Sequence, residues 1–536
     1  MSATVNRSPR PVAREDFTRL VHAEWTKFRT VRGWVIGTVF AGLVIVLFAY
    51  LATFAHHDGG ICVGPNPVSG TCQSFAHPGP ALGPGGVPVT DTYYFVHRSL
   101  TADGSITVRV SALSGKAQSG GANGNGVSVN DLVGTPAAVN EWAKAGLIVA
   151  ATTKPGAPYA AVMLTGAHGV RMQYDYTGDT AGPAASARNP RWLRLTRSGS
   201  TLSGYESADG RSWTKVGTVM LAALPATAQA GLFVTSPPAT DLSSPQFFGG
   251  EGGANQTATG ASATFDQLSL GGGGWRGGTW SAQYIGANTQ LPTLSSVGYR
   301  RTGDGFTISG SGDIAPAVGA GYTPEQPLTG VFIGLIVLIV LGTMFITAEY
   351  RRGLIRTTLA ATPRRGRVLF AKASVIGAVT FVLGSLACAV SIAVGNHVLR
   401  VNGNYVYPAS TLTELRVILG TGALLALVAV LSLAVGTALR RSAGAITAVI
   451  GLIILPYILA TASALPTGPS DWLLRLTPAA GFAIEQTLPS YHQVSYLYDP
   501  TGGFYPLSPG LGLAVLCAYT LAALLIARRL LLTRDA

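Results

Sequence analysis

Charged residues are scarce in this 536-residue chain, where Asp, Glu, Lys and Arg together make up only 11%. Hydrophobic residues make up 48%, and the mean hydropathy is positive, at +0.36. Soluble globular domains carry about 25% charged residues. The composition therefore argues against an ordinary soluble protein and indicates a membrane protein.

The chain also lacks the usual signals of nucleotide and metal sites. Its only Gly-Lys pair is Gly115 and Lys116, which is followed by Ala117 and has no Gly five residues before it, so there is no phosphate-binding P-loop. The histidines, including His56 and His57, show no spacing typical of a metal site. We expect no cofactor and no metal in this chain.

Six long apolar runs are present. Leu328–Ala348 has no charged residue and would form about 31 Å of helix, against a hydrocarbon core of roughly 30 Å. A signal peptide is the alternative for the first run, but that run is too long and no cleavage site follows it. The six predicted spans are Gly33–Ala55, Leu328–Ala348, Val368–Val394, Val417–Leu439, Ala443–Ala464 and Pro509–Ala527.

The net charge of +13 is concentrated at alternate ends of these spans. His56–Pro327 holds 15 basic and 15 acidic residues, so the excess lies elsewhere. The distribution follows the positive-inside rule of membrane proteins. It predicts a plasma-membrane protein whose two termini, including the tail 528–536, are cytoplasmic and whose insert, 56–327, lies outside the cell. A nucleic-acid partner is not expected, because no groove-sized basic patch exists beyond these loops.

Two of the four cysteines lie in the predicted exterior segment. Cys62 and Cys72 flank a Gly/Pro-rich loop in what would be an oxidising compartment, which predicts a disulfide, with two free thiols as the alternative. Cys388 and Cys517 fall inside spans and are expected to pack as apolar residues.

The chain before the first span divides into a polar segment, 1–13, expected to be disordered, and a helical segment, 14–32. Phe17, Leu20, Trp25 and Phe28 recur at helical spacing, with Lys27 and Arg29 mostly off that stripe. The pattern predicts an amphipathic helix at the cytoplasmic membrane surface.

The insert alternates in the manner of β-strands, for example in GVRMQYDY and SITVRVSAL, and predicts two packed antiparallel sheets. The phrases YYFVHRSLTADGSITVRV, EWAKAGLIVA and WLRLTRSGSTLSGYESADGRSWTKVG resemble the concanavalin-like, laminin-G-type jelly-roll domains, over 92–270. Gly271–Gly274 suggests a flexible joint, followed by a separate small β segment at 275–322.

The jelly-roll resemblance leaves binding and catalysis to be judged from the residues. Trp192, Tyr205 and Trp213 are candidate platforms for an external glycan or protein ligand, with core packing as the alternative. The acidic residues show no closely spaced hydrolase signature, and Asp209 is explained by its turn, so no catalytic residue is assigned. The acids considered are Glu141, Asp175, Asp179, Glu206 and Asp209.

The second span ends in a charged turn, and the loop that follows, 349–367, contains GLIRTTLAAT and a Pro with a basic cluster. This loop resembles the cytoplasmic loop of type-2 ABC transporter permeases; His22–Trp34 resembles their N-terminal helix, and Asp471–Ala483 their last external loop. The resemblance implies that the loop contacts a separate ATPase subunit. Its matching residues are Glu349, Tyr350, Arg351, Arg352, Gly353, Arg356, Pro363, Arg364 and Arg365.

Together these features predict a six-helix membrane bundle with an inserted exterior β-sandwich. The resemblance implies a non-enzymatic exporter subunit that works as a dimer, with a second copy or a related permease, and with a cytoplasmic ATPase that binds ATP and Mg²⁺. The near absence of ionisable groups in the spans argues against a proton-coupled carrier and favours an amphiphilic or hydrophobic substrate, or a path that opens only in the dimer. Lys372 is expected to snorkel to the interface. Five charged residues near the outer interface are either solvated or part of a gate: Glu414, Arg416, Asp471, Arg475 and Glu485. The alternative function is a membrane-anchored recognition or signalling protein.

Overall fold

The computed structural model describes residues 17–56, 80–117, 135–137, 139–241, 255–257, 259–286, 297–355, 357, 364–461, 465, 467–494, 496 and 498–533. Two of the predicted site residues, Arg356 and Pro363, and the proposed Cys62–Cys72 disulfide lie outside these residues.

Eight α-helices are found in the described residues, and six of them are long and apolar enough to cross a membrane. The predicted six-helix bundle is thus confirmed. The short amphipathic helices are α1 and α7, and the complete set is α1 Phe17–Thr30, α2 Arg32–Phe54, α3 Thr329–Arg351, α4 Arg365–Val401, α5 Thr411–Leu439, α6 Ser442–Thr461, α7 Thr467–Leu476 and α8 Pro509–Thr533. Three-residue or longer 3-10 turns occur at Gln326–Leu328, Pro478–Glu485 and Pro500–Gly502.

Small residues let the membrane helices approach closely. A Cβ on Gly330 of α3 would lie 2.2 Å from the Ile45 carbonyl oxygen of α2, and one on Gly342 would lie 2.4 Å from the Ala429 oxygen of α5. In lipid, where water does not drive helices together, such backbone contact is the main source of packing energy. Helix α3 is therefore held between α2 and α5.

The insert forms a β-sandwich, as predicted, and every strand pair in it is antiparallel. Its strands are β1 Val89–Asp91, β2 Tyr93–Leu100, β3 Gly104–Ala117, β4 Thr135–Ala137, β5 Lys144–Ala150, β6 Tyr159–Thr165, β7 Val170–Tyr174, β8 Gly178–Ala181, β9 Arg191–Ser198, β10 Thr201–Ser207, β11 Thr214–Met220, β12 Ala228–Thr235, β13 Ala239–Asp241, β14 Asn255–Thr257, β15 Thr259–Gly271, β16 Trp275–Ile285, β17 Gly298–Thr302, β18 Gly305–Ser311 and β19 Ile314–Pro316.

Two large sheets enclose the sandwich core. One runs β11-β10-β9-β3-β15-β18-β17, with β4 on β3, and the other runs β16-β2-β12-β5-β6-β7-β8. The alternating residues Ile106, Val108, Leu193 and Leu195 are at most 1% exposed and face this core. The period-two pattern of the sequence therefore identified the buried face correctly.

The structure describes Gly271–Gly274 and has no flexible joint there, where the sequence predicted the end of the sandwich. This stretch ends β15 and turns into β16, which pairs with β2, while β18 pairs with β15. The region 275–311 thus completes both sheets of the sandwich and is not a separate small segment. Local glycine content suggested a joint, whereas the pairing of β16 depends on β2, where Trp275 lies opposite Leu100, a residue far away in sequence.

Loops at one end of the bundle contact the sandwich through hydrogen bonds. The Tyr322 amide donates to the Tyr405 oxygen (2.8 Å), and the Tyr407 hydroxyl donates to the Ala317 oxygen (2.6 Å). Gln493 Nε2, in the segment before α8, donates to the Tyr176 oxygen of the sandwich (3.2 Å). The sandwich and these loops therefore lie at one end of the bundle.

Candidate functional site

The opposite end of the bundle carries α1 against α3. Phe28 is 3% exposed, and its ring centroid lies 6.0 Å from that of Phe345. Trp25 stacks on Phe28 at 6.1 Å but remains 41% exposed, and Phe17 is 40% exposed. Leu20 is half-buried, whereas Arg29 is exposed. One side of α1 thus packs into the bundle and an apolar edge stays outside, which suits a helix at a membrane surface.

An ion cluster joins α1, α3 and α4 to one another at the end of the bundle away from the sandwich. Lys372 Nζ of α4 lies 2.7 Å from Glu24 Oε2 of α1 and 2.6 Å from Glu349 Oε1 of α3. Lys27 Nζ lies 2.8 Å from Glu24 Oε1 and 3.7 Å from Glu349 Oε1. Two ammonium groups thus face two carboxylates, and the Lys372 cluster, as we call these four residues, has no formal net charge.

The prediction that Lys372 snorkels to the membrane interface is wrong. Its side chain is 1% exposed, and Nζ also lies 5.0 Å from the Phe345 ring centroid. A lone Lys near the end of an apolar run requires a partner when it turns inward. That requirement was visible in the sequence, but Glu24 was not identifiable as the partner, because it is 348 residues away.

Glu349 has a role that the loop resemblance did not indicate. It was assigned to the ATPase-coupling loop, yet its side chain faces Lys372 and Lys27 inside the cluster. Because the cluster joins three helices, it holds in place the end of α3, from which the loop after Glu349 begins.

Exposed arginines lie on both sides of this loop. Arg351, Arg352 and Gly353 are exposed at the end of α3, and Arg364 is exposed before α4. Gly353 adopts φ 69°, a left-handed conformation that glycine accepts without a steric penalty and that turns the chain out of α3.

A second loop at the same end of the bundle contributes further arginines. A cavity of about 380 Å³ is lined by Tyr350, Arg351, Arg440 and Arg441, and Arg440 Cζ lies 5.3 Å from the Tyr350 ring centroid. The turn between α5 and α6 is thus brought against the end of α3, which concentrates positive charge on one surface. Arg365 instead donates to the Leu531 oxygen of α8 (3.4 Å) and has a structural contact.

The candidate platform residues of the sandwich lie close together. Arg194 Cζ is 3.9 Å from the Trp213 ring centroid, and Tyr205 pairs with Arg194 across β10 and β9. Trp192, on the same face of β9, packs beside Gly210, where a Cβ would lie 2.7 Å from its ring. All three aromatic residues are half-buried on the outer face of their sheet.

The acidic residues of the sandwich are mostly occupied by structural contacts. Asp179 pairs with Arg171, and Glu206 Oε2 lies 3.4 Å from Arg191 Nη1. The Asp209 carboxylate accepts amide bonds from Arg211 and Ser212, both 2.8 Å, and hydrogen bonds of this kind lower the pKa of Asp209. The prediction that Asp209 serves its turn therefore agrees with its contacts.

The residues expected to be either solvated or part of a gate lie at the end of the bundle that carries the sandwich. Glu485 ends the 3-10 helix Pro478–Glu485, and its Oε1 is buried without a hydrogen-bond partner among the described residues. Neither Glu414 with Arg416 nor Asp471 with Arg475 forms an ion pair within 4.0 Å; Arg416 donates to the Gln486 oxygen, and Arg475 Cζ lies 5.5 Å from the Trp472 ring centroid.

Six membrane-capable helices, a large β-sandwich between the first and second of them, and a buried ion cluster at the far end define a multi-pass membrane protein with an inserted domain. Residues 280–536 match the family model described as ABC-2 family transporter protein, so this part of the chain is an ABC-2 transporter domain. The resemblance inferred from the loop motifs is thus confirmed.

No curated protein matches the chain. Solved structures similar to it include a functionally unknown protein from Saccharomyces cerevisiae, with 14% identity over 33% of this chain and 74% of that one, at a TM-score of 0.20. The GH43 protein BlXynB from Bacillus licheniformis shares 16% identity over 32% of this chain and only 27% of its own, at a TM-score of 0.19.

A Scytalido-glutamic peptidase structure with a peptide-based transition state analog shares 10% identity over 41% of this chain and 98% of that one, at a TM-score of 0.22. At these TM-scores no functional conclusion for the sandwich follows from the three structures. The family match, in contrast, supports a membrane permease subunit of an ABC transporter, a generally non-catalytic subunit that implies a partner ATPase.

Proposed function

We propose that this chain is the permease subunit of an ATP-driven exporter, whose cytoplasmic end contacts a separate ATPase that binds ATP and Mg²⁺. The observation that supports this most directly is the Lys372 cluster beside the exposed arginines of the loop. A partner that moves this surface would move α1, α3 and α4 together, because their ends are joined by charge-assisted hydrogen bonds.

The proposed orientation follows from charge. The arginines at the ends of α3 and α5 lie on the surface away from the sandwich, and the positive-inside rule assigns that surface to the cytoplasm. Both termini are then cytoplasmic, and the sandwich lies outside a plasma membrane. The alternative role of the arginines, contact with anionic lipid, contributes about 1 kcal/mol each and is compatible with partner binding.

We further propose a dimer, because an ATPase dimer needs two coupling loops and each chain supplies one. The substrate is proposed to be amphiphilic or hydrophobic, since the membrane-spanning helices carry few ionisable groups besides Lys372.

A test of the ATPase contact is copurification of the partner with Arg351→Ala/Arg352→Ala/Arg364→Ala. We expect loss of the ATPase from the purified complex, since three exposed charges leave the loop surface. The matched control is Arg188→Ala/Arg211→Ala/Arg300→Ala, which removes three exposed arginines of the sandwich. Equal ATPase recovery from both triple variants would contradict the proposed contact.

The second candidate function is recognition or signalling through the sandwich, and the contacts of Tyr407 and Gln493 favour it, because they connect the sandwich to the helices. The clustered Trp192, Tyr205 and Trp213 are its proposed ligand platform.

Excision of 89–316 separates the two functions. The Ala317 amide donates to the Pro88 oxygen (2.9 Å), so the ends left by the deletion are already adjacent and a short glycine linker can join them. If the deletion variant still exports substrate in vesicles, the chain is a transporter with an accessory domain. If the ATPase is stimulated but neither the deletion variant nor the intact chain moves any substrate, the result supports signalling.

A further inference from the structure

A second cavity lies at the outer end of the bundle, on the side that carries the sandwich. Its volume is about 280 Å³, just below the range of roughly 300–1,000 Å³ typical of small-molecule sites. The residues around it come from the start of α3, from α6, from the Pro478–Glu485 helix and from the segment before α8. It is therefore enclosed by elements that are far apart in sequence.

Two carboxylates line this cavity. The Glu325 side chain is held in place by the Thr487 hydroxyl, and the Thr487 amide donates to Glu325 Oε1 at 3.4 Å. Glu485 is held less completely, because its buried Oε1 has no hydrogen-bond partner in the part of the chain that the structure describes. Among the described residues that line the cavity there is no Lys or Arg. A buried carboxylate without a cationic partner is energetically costly, and a bound cation would remove that cost.

Aromatic rings form the rest of the wall. The ring centroids of Phe332 and Tyr457 are 5.3 Å apart, those of Tyr457 and Phe482 are 4.7 Å apart, and those of Phe332 and Phe482 are 6.2 Å apart. Tyr505 lines the cavity as well. The faces of such rings attract cations, most strongly where water is excluded, and aromatic clusters are the usual recognition element for alkylated ammonium groups.

We propose that this cavity binds the alkylated ammonium group of a small organic cation. The two carboxylates supply the charge complement, and Phe332, Tyr457 and Phe482 supply the apolar and cation–π contacts. A hard metal ion fits less well, since in the described residues no group of three or more His, Cys, Asp or Glu side chains lies together. If the chain transports its ligand, the substrate class is a cationic amphiphile, and this last step rests on the proposed function.

A larger cleft on the sandwich side shares one lining residue with the cavity. Tyr505 also lines this cleft of about 590 Å³, which includes Trp142 of the sandwich and Tyr491, Tyr496 and Tyr498. The cleft therefore offers further aromatic faces to a cation beside the cavity.

Binding is expected to depend on pH. Burial, and secondly the Glu325 carboxyl, raise the pKa of Glu485 to about 8, and burial raises the pKa of Glu325 to about 7 against the hydrogen bonds from Thr487. Other titratable groups near the two carboxylates are Tyr457, Tyr505, Cys388 and Asp499, with Arg416 bonded to the neighbouring Gln486 oxygen. The cation favours ionised carboxylates, so affinity rises from pH 6 to pH 9.

The test uses choline and its uncharged isostere 3,3-dimethylbutan-1-ol, titrated calorimetrically into the purified full chain in nanodiscs without ATPase. We expect choline to bind and the alcohol not to bind. Glu485→Gln should weaken choline binding by about tenfold or more, because one of the two carboxylate charges that attract the quaternary ammonium is lost. Phe332→Leu should weaken it by about two- to thirtyfold through the lost ring face.

The matched control is Glu414→Gln, which removes a carboxylate of the same outer side from outside the cavity and should leave the affinity unchanged. Absence of choline binding, equal binding of the alcohol, or unchanged affinity in both Glu485→Gln and Phe332→Leu would overturn the proposal. None of these results affects ATPase copurification, so the proposed function is tested separately.

Discussion

Two buried lysines show how single residues hold this molecule together. Lys372 joins three helix ends, and Lys144, which is 0% exposed, lies 2.6 Å from Asp313 Oδ1 and 2.7 Å from the Ile314 oxygen. Lys144 thus ties the sandwich to β19, the last strand before the bundle. Each ammonium is stable in the interior only because carboxylate and carbonyl oxygens replace its water.

Lys372→Met is expected to destabilise the chain by about 3–5 kcal/mol, because it leaves Glu24 and Glu349 with Lys27 as their remaining partner in the cluster. The measurement is unfolding of the full chain in detergent or nanodiscs. Lys154→Met, at an exposed position of the sandwich, is the control. If the two variants unfold alike, the cluster does not carry the stability assigned to it.

The substitution Lys144→Met is expected to destabilise the sandwich in the same way. It leaves the Asp313 carboxylate buried with less compensation, and we expect a loss of about 3–5 kcal/mol. The readout is faster proteolysis of the insert in the full chain, with the membrane bundle unaffected. Unchanged proteolysis relative to Lys154→Met would refute the role of this ion pair.

The carboxyl of Glu485 predicts a pH-dependent difference in stability. Its pKa is about 8 in the folded chain and 4.5 ordinarily, so the unfolded chain releases this proton first, and stability falls as pH rises from about 4.5 to 8. Glu485→Gln removes this loss. Without ligand it should unfold like the parent chain at pH 5 and be more stable at pH 9 by about 1–3 kcal/mol. A difference equal at both pH values would contradict the assignment.

At the scale of elements, the packing of α3 against α5 depends on Gly342. A Cβ atom added to Gly342 would lie 2.4 Å from the Ala429 oxygen, so any side chain at this position pushes the two helices apart. Gly342→Leu should therefore abolish a stable bundle or cost several kcal/mol, the range expected of overpacking. Gly451→Leu on α6 is the control, because nothing lies within 4 Å of its Cβ position. The two variants are compared by the fraction of each that still elutes as folded protein in size-exclusion chromatography after heating.

The elements also show what the sequence could predict. Apolar length identified all six membrane helices, and period-two alternation identified the core face of β3 and β9. Both patterns are local. The pairing of β16 with β2, the partner of Lys372 and the burial of Glu485 were not predicted, because each depends on contacts between segments far apart in sequence.

At the scale of the whole molecule, one end of the apolar bundle carries clustered charge and the sandwich covers the other end. The family match over residues 280–536 covers helices α3 to α8 of the bundle. It does not reach α1 or α2, yet α1 supplies Glu24 and Lys27 to the Lys372 cluster. The N-terminal segment is thus part of the same mechanical unit as the matched domain.

The orientation of that unit is the central claim, and a site-specific protease tests it most directly. One variant carries the cleavage site in the β9–β10 turn at Gly199, where nothing crowds the chain, and a second carries it before Phe17. In intact cells, protease added outside should cut the first variant and leave the second whole until the membrane is permeabilised. Cleavage of the second variant alone in sealed cells would contradict the account.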